Sequence, residues 1–258
     1  GVLLVGGGLI DGGSGDDAIS SREEDFVRVP YEPIVIKGNT VIGGDGNDQI
    51  EASGQDVRLY GDLVDPALPV TAGNDFIRSF GGGVDSRALI LAGQGNDSVS
   101  SSNADFSTID GGDGNDLLTV AWDGQSTLIG GSGDDTLSVT FFSGDFGNPF
   151  ESRGLETTRL EGGSGNDSLL VDSNVDTSGG QTEITLLGGD DADSLTAQDN
   201  EADNNASRGM AHVTLDGGNG NDVLSVSGGL DVRLTGGAGR DTFVVTQAQY
   251  LTQTLGAR

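Results

Sequence analysis

Cysteine is absent from the 258-residue chain, which excludes disulfide staples and thiolate metal sites alike. Lysine occurs once, at Lys37, and 12 basic residues stand against 41 acidic ones for a formal charge of -29. Such a surface repels phosphate backbones and anionic lipid, so neither nucleic acid nor polybasic membrane attachment is expected. His212 is the single histidine. No Ser/His/Asp order, H-E-x-x-H pair or phosphate loop can be assembled from this inventory, and no carboxylate pair is singled out, so the chain is expected not to be an enzyme. No run approaches the roughly 20 apolar residues of a membrane-spanning helix. The opening residues Gly1 to Gly6 lack a basic n-region and a cleavage pattern. They start directly on strand-like residues, which reads as a segment of a longer chain.

Glycine is abundant, at 46 residues, whereas proline is held to 5. The glycines fall at fixed offsets, which separates the chain from low-complexity linkers. Ten times an Asp closes a turn of the form G-G-x-G-[ND]-D-x-U-x, with U a large apolar residue. Gly12 to Ser20 shows every element, and Gly43 to Glu51, Gly111 to Thr119, Gly130 to Ser138, Gly162 to Leu170 and Gly217 to Ser225 repeat it closely. The copies start at 12, 43, 61, 92, 111, 130, 162, 188, 217 and 236, so a basal coil of 18 or 19 residues is lengthened by insertions in about half of them. A unit too small to bury its own apolar face must stack on its neighbours.

Two apolar ladders flank the turns. Ile10, Val41, Leu59, Ile90, Ile109, Leu128, Leu160, Leu186, Leu215 and Leu234 lie two positions before each start. Ile19, Ile50, Val99, Leu118, Leu137, Leu169, Leu195, Leu224 and Phe243 lie seven positions after it, and Ile77 joins them once an insertion is allowed for. Period-two alternation beyond the second ladder, as in Leu137 with Val139, is the mark of a strand. Each coil therefore reads as strand, Asp-rich turn, strand and return loop, with any metal ladder along one edge only. Leu63 to Ala72 reads as an insertion inside the third turn. Ser21 to Pro33, Phe142 to Leu155, Asp172 to Gln181 and Gln198 to Gly209 read as excursions from the return edge. His212 is expected on a sheet face, and Trp122 in a return turn as an edge cap or a stacking platform.

The charge demands a counterion. Stacked strands lie about 4.8 Å apart, inside a Debye length of about 8 Å at physiological salt, so carboxylates stacked one per coil repel strongly. Turns without metal need no such repeated carboxylate. Glycines at positions one, two and four permit positive φ and close approach of backbone to an ion, turning carbonyl oxygens inward, while Asn or Asp at position five tolerates left-handed geometry. Hard oxygens in a flexible frame suit Ca2+, with its 6 to 8 ligands, better than Mg2+. One turn cannot complete such a shell, so ions are expected between successive turns, about nine at most for ten turns.

These residues resemble the RTX (repeat-in-toxin, hemolysin-type) calcium-binding repeats, whose nonapeptide is the one quoted above. The resemblance covers nearly the whole chain. It implies a parallel β-roll that folds on Ca2+ after secretion, with Asp17, Asp48, Asp75, Asp97, Asp116, Asp135, Asp167, Asp193, Asp222 and Asp241 as ligands alongside turn carbonyls. Nonapeptides of the family follow one another directly, whereas here nearly every coil has one copy. Asp191 stands at position four of the eighth copy and Arg240 at position five of the last, so altered sites are expected there.

The expected architecture is all-β: a right-handed parallel β-roll or β-helix solenoid of about ten coils over residues 1–258, with several Ca2+ stacked along one edge. The expected role is that of a secreted, bacterial, extracellular or cell-surface structural or adhesive segment, with flanking domains or end-to-end self-assembly. The alternative is the carrier region of a secreted enzyme or toxin whose catalytic domain lies elsewhere. An ice-binding surface ranks last, because third-position residues are Ser, Asp, Gln, Asn or Ala rather than a row of Thr.

Overall fold

A strand of five or six residues followed by a glycine turn can hide only one face, and this chain hides it by winding. The structure, a computed structural model, describes residues 9–21, 40–62, 73–81, 86–104, 106–121, 124–142, 156–174, 182–199, 210–246 and 251–254. These form two parallel sheets, one of 11 strands and one of 10, whose members alternate along the chain. Strands entering the Asp turns, from Leu9–Ser14 to Leu251–Thr254, make the first sheet and are called approach strands below. Strands leaving the turns, from Ala18–Ser21 to Thr242–Thr246, make the second and are called exit strands. Ten coils result, and every Asp turn lies at the same edge.

Both apolar ladders are in register from end to end. Leu128, for example, pairs with Ile109 on one side and Leu160 on the other. Leu137 likewise sits between Leu118 and Leu169. Ile77 takes its expected place between Ile50 and Val99 despite the insertion before it. From Val41 to Leu234 and from Ile50 to Leu224 the ladder side chains are no more than 1 % exposed. Ile10, Ile19 and Phe243 are only partly buried, because an end coil has a neighbour on one side.

Nearer the return edge the core turns polar in the middle coils. Ser79, Ser101, Ser107, Ser126 and Thr158 are buried there, and the Ser101 and Ser107 hydroxyls lie 3.0 Å apart. The outer face of the exit sheet is nearly free of charge. Across the seven strands from Ser98–Ser102 to Thr242–Thr246 the charged residues are Asp172 and Asp199, among many Ser and Thr.

Strands run further than their sequence bounds. Ser21, Phe142, Asp172 and Gln198, read above as the starts of excursions, all pair in register: Ser21 with Ala52, Phe142 with Asn174 and Asp172 with Gln198. Backbone hydrogen bonding to a neighbouring strand outweighs the local polarity that marked them as loop. Ser173, Asn174 and Asp199 continue the same pairing; residues 22–33, 143–155, 175–181 and 200–209, Leu63 to Ala72 and Trp122 lie outside the described residues. His212 is on the exposed face of strand Met210–Asn219, its Nδ1 3.3 Å from Asp231 Oδ2.

Candidate metal centre

Two of the three turn glycines are there for backbone conformation. Gly131 and Gly133, at positions two and four, have φ of 116° and 122°. A Cβ on Gly133 would lie 2.2 Å from the Gly114 carbonyl oxygen of the preceding coil, so those carbonyls point along the stack at the next coil's turn. Asp191 adopts φ 77° where the other turns use glycine, so the eighth turn keeps the shape of its neighbours.

Position one is used for close approach rather than for φ. No first-position glycine has positive φ; the space its hydrogen leaves is taken by the Asp of its own turn. A Cβ on Gly130 would lie 2.3 Å from Asp135 Oδ2. The fourth turn has Ala92 at this position, fully buried, and still places Asp97 like the others.

All ten sequence-nominated aspartates stand in one column. Each donates its backbone N–H to Oδ1 of the next coil's Asp: Asp17 to Asp48, Asp48 to Asp75, Asp75 to Asp97, and so on to Asp193 and Asp222, at 2.7–2.9 Å. The last rung, Asp222 to Asp241, is longer at 3.3 Å, and Asp241 is half-buried at the end coil. The insertion leaves Asp75 in line.

The second carboxylate oxygen is the informative one. Oδ2 of Asp17, Asp48, Asp75, Asp97, Asp116, Asp135, Asp167, Asp193 and Asp222 is buried without a hydrogen-bond partner. From Asp48 to Asp222 these side chains are no more than 2 % exposed. Burial pushes the carboxyls up against the pull of the donated N–H, and neighbouring aspartates add to the rise. Asp75, Asp97, Asp135 and Asp193 are raised to about 7 and Asp116 to about 6. Orphaned buried oxygens at regular intervals require a cation or a proton.

A second, exposed ladder runs the opposite way at position five. Asn74 N–H donates to Asn47 Oδ1, Asn96 to Asn74, Asn115 to Asn96, Asp134 to Asn115 and Asn166 to Asp134, at 2.6–2.8 Å. The left-handed backbone that Asn and Asp tolerate is not adopted at this position, since positive φ outside glycine is confined to Asp56, Asn103 and Asp191 among the described residues. Asn and Asp serve here as side-chain acceptors. Ala192 and Arg240 carry no such oxygen; their N–H groups still donate downward, and the ladder pauses above them.

Asp62 was missed by sequence reasoning. It occupies position two of the third turn, is 3 % exposed, and has one buried oxygen, Oδ1, without a partner. Burial raises it too, with Asp48 and Asp45 contributing. The signal was present: Asp62 directly follows the first-position Gly61, where the other turns have a second glycine.

No three His, Asp or Glu side chains converge among the described residues. An ion here would take its carboxylate oxygens from the Asp column and the rest of its shell from backbone carbonyls, an all-oxygen set that fits Ca2+. A family model of the RTX calcium-binding nonapeptide repeat matches four segments, residues 38–63, 123–139, 157–177 and 212–232. Each contains a column aspartate: Asp48, Asp135, Asp167 and Asp222. No curated protein and no solved structure matches the chain.

Proposed function

We propose that this chain, a parallel β-roll carrying RTX calcium-binding nonapeptide repeats, is secreted, folds on taking up several Ca2+ along its Asp edge, and serves outside the cell as a structural or adhesive segment without catalysis of its own. The observation that carries the calcium part is the row of nine buried, unpartnered Oδ2 atoms. Asp17, Asp48, Asp75, Asp97, Asp116, Asp135, Asp167, Asp193 and Asp222 would hold the ions, with Asp241 closing the column. Bound Ca2+ supplies the positive charge that lets neighbouring carboxylates stack. The protein's part is to fix their spacing by the Oδ1 bonds, to exclude water from Oδ2 and to present glycine carbonyls along the stack. Because such a site does not exist in the unfolded chain, ion binding is folding free energy.

The adhesive part draws on the exit sheet. In a chain of charge -29, seven consecutive strands carry two charged residues, so this face approaches another surface without the repulsion every other side would meet. Circular dichroism of an EDTA-stripped sample titrated with CaCl2, with MgCl2 as control and calorimetry for ion count, tests the first part. A cooperative gain of β-structure with several ions per chain is expected; unchanged structure with no calcium uptake overturns it. Sedimentation of the calcium-loaded chain tests the second. Self-association that Thr136→Glu and Thr196→Glu weaken, with dichroism unchanged, supports it; association indifferent to those changes, or none at all, counts against it.

A further inference from the structure

Nine of the turns have Gly at position two; the third has Asp62. In a regular turn the position-two carbonyl serves the next coil, as where the Ala238 N–H donates to the Gly218 oxygen at 2.7 Å. A Cβ on Gly112 or Gly131 would meet that carbonyl of the coil before it at 1.9 and 2.0 Å. Between the third and fourth coils the carbonyl is replaced by a side chain. The Gln94 N–H donates to Asp62 Oδ2 at 2.6 Å, and a Cβ on Gly93 would lie 2.5 Å from the same oxygen. A charged oxygen thus stands where the other turns place a neutral one, and Asp62 Oδ1 is left buried and unpartnered.

Asp75 Oδ2 lies 2.1 Å from where a Cβ on Gly61, the chain neighbour of Asp62, would be. The third turn therefore has two orphaned carboxylate oxygens, where the other described turns have one, or none at the last. These two residues also stand on opposite sides of the inserted Leu63 to Ala72.

Resting on the calcium reading above, we infer that Asp62 is an additional Ca2+ ligand and that with Asp75 it makes the third turn the tightest-binding site of the array. Affinity of oxygen sites rises with the number of charged ligands.

The test is calorimetry with CaCl2 on the full chain, comparing the parent with Asp62→Gly, which restores the regular residue, Asp62→Asn and, as a reference at an ordinary turn, Asp135→Asn. Both Asp62 variants should keep the calcium-induced β signal but weaken the tightest binding component by at least about tenfold. Asp135→Asn should lower uptake while sparing the tightest component. Asp62 variants that match the parent in affinity and ion count overturn the inference while leaving the calcium reading intact. A parent that takes up no Ca2+ overturns both.

Discussion

At the scale of single residues, the turn separates glycines needed for backbone shape from glycines needed for room. Gly133→Ala must put a Cβ at φ 122° and 2.2 Å from a backbone oxygen, costing about 1–2 kcal/mol for the left-handed residue alone and more for the clash. Gly130→Ala meets the Asp135 carboxylate at 2.3 Å and the Gly162 carbonyl oxygen at 2.6 Å but needs no positive φ, and Ala92 shows the column accepting a methyl group there. Denaturant unfolding in calcium should find Gly133→Ala the more destabilising of the two; the reverse order would show that room beside Asp135, not φ, governs the turn. The column aspartates also give a pH signature. The folded pKa of about 6 to 7 at Asp75, Asp97, Asp116, Asp135 and Asp193 lies above the ordinary 3.8, so the folded calcium-free chain binds more protons than the unfolded one in that window. That contribution is fully present below pH near 4 and is lost as pH rises through about 7. An EDTA-treated sample should therefore gain β-structure on acidification from pH 8 to pH 5, and calcium affinity should fall over the same range as protons compete for Oδ2. Sequence reading located all ten column residues because a repeated carboxylate at fixed offset leaves a mark in composition and spacing. It missed Asp62 because a single substitution inside a broken copy has no period, and it did not foresee the acceptor ladder at position five because Asn suits left-handed backbone as well as an inter-coil acceptor.

Strands were the more legible level. The two apolar ladders were readable because a residue must be aliphatic to sit between two aliphatic neighbours, coil after coil. Strand ends were not, because Phe142, Asp172 and Gln198 are held by pairing with the next coil rather than by their own preferences. The same distinction sets the cost of substitution. Leu137 is fully buried between Leu118 and Leu169, so Leu137→Ala should cost about 2–5 kcal/mol. Leu117, its chain neighbour's equivalent on the outer face, is 45 % exposed, and Leu117→Ala should change stability by no more than about 0.5 kcal/mol. Calcium-saturated thermal or denaturant unfolding distinguishes them, and equal losses would refute the assigned faces of the exit sheet.

Over the whole molecule, each coil contacts only its neighbours, so stability propagates along the stack through the Asp rungs and the two sheets. Removing one rung in the middle, as in Asp135→Asn, should therefore broaden the calcium transition as well as reduce ion uptake, whereas Asp241→Asn at the end should leave its steepness unchanged; a dichroism titration reads both. The rungs have one further property. Asp116 is 19 residues from Asp135 and Asp135 is 32 residues from Asp167, yet both pairs are bonded at the same 2.8 Å. The lattice counts coils and is indifferent to how much chain passes between them. Lengthening a return loop leaves every rung where it was, so that edge can accept new segments, and with them new surface chemistry, while the opposite edge keeps its register untouched. Descendants of such a chain can diverge in what they display long before they diverge in how they fold.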